Sequence, residues 1–164
     1  MDVSTYSELV AQRLHPRPYT NRVTEVSDDI HLLLTCKKLM LARYALAVSS
    51  WEPSLDGSAF LKSKRRAVAR TLGAIWTFRE VGLYMVICGA ESEWHTHAAT
   101  MLADNTGLHA VIVQAVHFVD LQTGATQLNQ SAWGPVRFGG VDSVAEVINS
   151  IPLNHDEVRA EYNI

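Results

Sequence analysis

The stretch IHLLLTCKKLMLARYALAVSS, Ile30 to Ser50, constrains the fold more than any other part of this chain. Lys37, Lys38 and Arg43 alone interrupt its apolar surface, so it must be buried on most sides wherever it sits. Leu, Ala and Met dominate, and β-branching is confined to Ile30, Thr35 and Val48, which favours a helix over a strand. Ser27-Asp28-Asp29 supplies a start and Trp51-Glu52-Pro53 a stop. The expectation is one long helix at the centre of the core.

The remaining elements are read around that helix. Tyr6 to Leu14 suits a short helix capped by Ser4 or Thr5 and ended by His15-Pro16-Arg17-Pro18, since the residue before each proline avoids the helical region. Thr20 to Val26 is a weak strand candidate. Residues 1–26 therefore read as an N-terminal arm, 27–152 as a single domain and 153–164 as a charged tail. Asp56 caps a second helix with Leu61, Val68, Leu72 and Ile75 inward and Gly82 as its stop. Lys62, Arg66 and Arg70 form an exposed stripe on it, with Lys64 and Arg65 beside them.

Leu83 to Cys88 is an apolar run between Gly82 and Gly89, as an interior strand would be. Trp94 to Ala103 and Leu108 to Val119 flank Asp104-Asn105-Thr106-Gly107, a turn sequence that closes a hairpin. In its tight register His97 faces Gln114, and Asp120 lies six residues further on, about 20 Å at strand rise. Leu121 to Gly124 is a second turn, Thr126 to Ser131 a polar edge strand, and Asp142 or Ser143 caps a closing helix with Val144, Val147, Ile148 and Ile151 inward. The fold class expected is α+β: N-terminal helices packed on a three- or four-stranded antiparallel sheet, with a C-terminal helix closing it.

Charge and cysteine content narrow the function. A net charge of −3 gives no global field for nucleic acid or anionic membrane, so nucleic acid is an unlikely partner. Its one candidate surface is the Lys62 to Arg70 face. No apolar run approaches a membrane span, and Met1-Asp2-Val3-Ser4 has no basic leader, so the chain reads as cytoplasmic or exported by a route without a signal peptide. Cys36 and Cys88 are too few for a disulfide framework.

A thiol nucleophile needs a histidine to take its proton and a polar group to orient that histidine. Cys36, His97 and Asp120 occur in that order, with Gln114 the alternative orienter in the tight hairpin register. Cys36 to Arg43 resembles the cysteine helix of papain-like enzymes of the protein-glutaminase and transglutaminase type. Trp94-His95-Thr96-His97-Ala98-Ala99 is similar to their histidine strand, and His117-Phe118-Val119-Asp120 to their aspartate strand, with Thr123-Gly124 and Trp133 where that pattern has a turn and a tryptophan. The resemblance implies Cys36 as nucleophile, His97 as base and then acid, and Asp120 as its orienter. It also implies a cysteine amidase or deamidase that attacks a glutamine-type carboxamide through a thioester, without a cofactor, on a protein substrate. Trp94, His95 and Trp133 would then line the binding site.

Other readings of the same residues stay open. Cys36 and Cys88 suit buried small hydrophobes, and Asp120 beside Thr123-Gly124 suits a turn residue bonded to its own backbone. His95, His97 and His117 could meet as metal ligands, although no acidic fourth ligand has a convincing spacing. The alternative to an enzyme is a non-catalytic α+β module that binds a protein partner.

Overall fold

The computed structural model describes residues 1–26, 30–38, 42–53, 55–75, 79–102, 109–131 and 141–153. Among them the chain is α+β, with four helices and one six-stranded mixed sheet. The helices are α1 (Val3–Leu14), α2 (Gly57–Leu72), α3 (Glu91–Met101) and α4 (Val141–Asn149). The strands are β1 (Asn21–Val23), β2 (Leu32–Lys38), β3 (Ala42–Ser50), β4 (Val81–Cys88), β5 (Val111–Val119) and β6 (Thr126–Gln130), in sheet order β1-β2-β3-β4-β5-β6.

The expected core helix from Ile30 to Ser50 is instead the antiparallel pair β2–β3, with Leu32 opposite Val48 and Lys38 opposite Ala42. Leu32, Leu34 and Cys36 face one side of the sheet together with Leu46 and Val48, while Leu33, Ala45 and Ala47 face the other. A strand covered on both faces shows no polar alternation, so its sequence is as continuously apolar as that of a buried helix. Helix propensity lost to burial on two faces.

The expected hairpin from Trp94 to Val119 is also replaced. Its first arm is the helix α3, in which Trp94, Ala98 and Met101 recur at i, i+4 and i+7 and are all buried. Asp104 to Gly107 lies outside the described residues. Because β5 runs parallel to β4, the chain must cross over between them, and α3 forms part of that crossover. The pairs β3–β4 and β4–β5 are parallel, flanked by antiparallel β2, β1 and β6, so the sheet is mixed and larger than the three or four antiparallel strands expected.

Helices cover both faces. The side chains of α1 and α4 share one cluster with Leu34, Val48, Tyr84 and Val119, and those of α2 and α3 share the other with Leu33, Met85 and Phe118. The N-terminal arm is thus part of the core: Tyr6, Val10 and Leu14 of α1 are fully buried. Its cap is Asp2, whose carboxylate accepts from the Thr5 N–H at 2.8 Å, rather than Ser4 or Thr5. Asp56 caps α2 as expected, and Gly73 ends it in the left-handed conformation, well short of Gly82. Ile75, expected inward, is exposed. The tail from Asn154 onward lies outside the described residues.

Candidate ligand-binding cavity

The sheet separates the residues of the expected cysteine constellation. Cys36 is buried on β2 among the α1 and α4 side chains. His97 sits half-buried on α3, over the opposite face, with its ring 5.3 Å from that of Trp51. Asp120 is brought to neither. Its carboxylate accepts from the backbone N–H groups of Glu91 at 3.0 Å, Gln122 at 2.8 Å and Thr123 at 3.1 Å. It therefore caps the start of α3 and closes the β5–β6 turn. Burial pushes its carboxyl pKa up, but the hydrogen bonds outweigh burial and leave it below the ordinary value.

The other candidates are placed as follows. Trp94 is buried, stacked on Phe118 at 5.0 Å, and donates from Nε1 to the Gly89 carbonyl. His95 is exposed on α3, and His117 is buried on β5 under the α1 and α4 layer, so the three histidines do not converge. Among the described residues no three potential ligands gather as a metal site would require. Trp133 lies outside the described residues. Lys62, Arg66 and Arg70 form the expected exposed stripe, whereas Lys64 is buried, its ammonium 4.9 Å from the Phe60 ring centre. None of the described helices is long and apolar enough to cross a membrane.

What the fold does assemble is a cavity of about 290 Å³ between the sheet and the α1 and α4 layer. Its origin is in β4. Val81, Leu83, Met85 and Ile87 point to the α2 and α3 face, leaving Gly82, Tyr84, Val86 and Cys88 for the other. Gly82 therefore falls on the α1 and α4 side of the strand, and it lines the cavity there. Leu14, Pro18 and Val144 wall it with apolar surface, and Tyr19, Tyr44 and Cys36 bring phenol and thiol groups. Burial raises the pKa of Tyr19 and Tyr84, so both stay neutral.

Gln114 also lines the cavity, and a β-bulge puts it there. Leu83 pairs with Val113 and Tyr84 with Ala115, so Gln114 is the extra residue on β5. Ala115 already faces the α1 and α4 cluster, and the bulge lets its neighbour face that side too. Gln114 is only 8 % exposed, and its Nε2 has no hydrogen-bond partner among the described residues. Behind it, the Tyr84 hydroxyl lies 2.8 Å from His117 Nδ1. Burial pushes the His117 pKa down to about 4, with Asn149 of α4 pulling weakly the other way.

Of the residues expected to act, the cavity thus holds Cys36 and Gln114 and not His97 or Asp120. Tyr19, Tyr44, Tyr84 and Gly82 were not anticipated. A glycine at the start of an apolar strand was the available signal, because glycine in a strand marks a bend or a close approach. Comparison with protein-family models, with curated proteins and with solved structures finds no match to this chain.

Proposed function

We propose that this chain is a non-catalytic binding module that holds a small molecule in the cavity between its sheet and the α1 and α4 layer. The observation that carries the reading is the Gln114 amide, which is buried at the cavity without a partner among the described residues. Buried polar groups are nearly always satisfied, and one that is not calls for a specific reason. A concave, largely apolar space with a few convergent polar groups is the usual form of a small-molecule site, and about 290 Å³ lies at the small end of that range. Parallel strands often bind ligands beyond their carboxyl ends, but here Trp51 packs at that end, on Phe60 and His97.

The test is a titration of isotope-labelled protein with neutral one- and two-ring aromatic fragments, followed by amide chemical shifts. Shifts confined to Tyr19, Tyr44, Tyr84, Gln114 and Val144 are expected. Binding confined to the α2 and α3 face, or none at all, would overturn the reading.

A cysteine amidase or deamidase acting on a glutamine-type carboxamide is the second reading, and one juxtaposition favours it: Cys36 and Gln114 line the same cavity. It requires a base beside Cys36 other than His97, which lies across the sheet. Rapid, selective alkylation of Cys36 at neutral pH would support it.

A further inference from the structure

We infer that the cavity selects an uncharged ligand carrying a carbonyl-type oxygen, which accepts a hydrogen bond from Gln114 Nε2. This rests on the cavity being a ligand site and goes on to say what it chooses.

Three features determine the choice. First, the donor belongs to a residue whose backbone is anchored beside the cavity. Gln114 is the bulged residue of β5, its neighbours Val113 and Ala115 stay paired with β4, and its own carbonyl accepts from the Ser131 N–H of the chain beyond β6 at 2.8 Å. The backbone is held from both sides, which keeps the residue at the cavity. Second, the group left over is an N–H, which only an acceptor satisfies.

Third, among the described residues nothing in the site compensates a ligand charge. Among the described residues no Lys, Arg, His, Asp or Glu lines the cavity, and an ion stripped of water there would go unpaired. The carboxylate of Asp142 stands beside the cavity, between the lining residues Val141 and Ser143, where it accepts from Gln130 Nε2 at 2.9 Å. Its charge disfavours an anion further. A neutral ketone or amide on an apolar ring meets all three conditions, with the ring against Leu14, Val144 and Val147.

Acetophenone, α-methylstyrene and benzoate test this, because they share one ring and differ in the terminal group. Titrated into the full chain, acetophenone is expected to bind about tenfold more tightly than the hydrocarbon, with a shift of the Gln114 side-chain amide protons, and benzoate is expected not to bind. In Gln114→Leu, or in Gln114→Met if the first does not fold, the ketone and the hydrocarbon should bind alike. Equal binding of the two by the unaltered protein, or a preference that survives both substitutions, overturns the inference and leaves the cavity site standing. Benzoate binding as tightly as acetophenone overturns the charge selection. Binding of none of the three overturns the ligand site itself.

Discussion

Tyr84 and His117 stand on the neighbouring parallel strands β4 and β5, with the phenol oxygen 2.8 Å from imidazole Nδ1 and both side chains buried. Burial favours the neutral imidazole, and the contact joins the cavity wall to the interior under α4.

That pair makes stability depend on pH. The folded-state pKa of His117 is about 4 against an ordinary value near 6.5, so the unfolded chain binds the proton more readily. Its contribution is intact above roughly pH 6.5 and is lost as pH falls from there to 4. The loss is of order 3 kcal/mol. Denaturant unfolding at pH 7 and at pH 4.5 should show the difference, and His117→Phe should remove part of it. An unchanged pH dependence in that variant would locate the acid sensitivity elsewhere.

Asp120→Ala should destabilise the chain by about 2 kcal/mol, because three backbone N–H groups lose a charged acceptor at once. Asp120→Asn keeps one accepting oxygen and should cost less. Since the carboxyl pKa is lowered on folding, its contribution is present above the unfolded pKa and is lost as pH falls through the folded one. Chemical unfolding of the three proteins measures the order, and equal stability of all three would show the cap to be energetically silent.

Gly89→Ala tests the packing at the carboxyl end of β4. A methyl group there would lie 2.7 Å from the Trp51 Cβ, closer than such atoms approach, so Trp51 or the strand must move. A cost of about 1–3 kcal/mol is expected for overpacking of this kind. Thermal melting checks it, and an unaltered midpoint would mean that Trp51 shifts freely.

Filling the cavity from Gly82 should separate binding from folding. Gly82→Val puts a β-branched side chain on a strand, facing the space bounded by Leu14, Tyr84 and Val144. Binding of neutral aromatic probes should fall below detection while the melting temperature holds or rises. Retained binding would place the site elsewhere.

The two thiols should both be slow toward iodoacetamide at neutral pH without denaturant. Burial pushes the Cys88 pKa up to about 12, and Cys36 is buried on β2. Peptide mapping after alkylation reads each separately. Fast modification of Cys36 alone would favour the amidase reading over the binding module.

Local chemistry alone determined much of this protein. Asp56 caps α2, the apolar run before Gly89 is the interior strand β4, Thr126 to Gln130 forms the polar edge, and Val144 and Ile148 turn inward on α4. These features depend on caps, turns and the period of one element, all of which neighbouring residues encode. Only the tertiary structure decided that Ile30 to Ser50 is a strand pair, because helices above and below the sheet erase the polar alternation that would have marked its strands. It also decided the site. Cys36 and His97 are ordered along the chain as a nucleophile and its base would be, yet a sheet stands between them. Gly82 and Gln114 are unremarkable in sequence, yet strand alternation and one bulge turn them toward the same cavity.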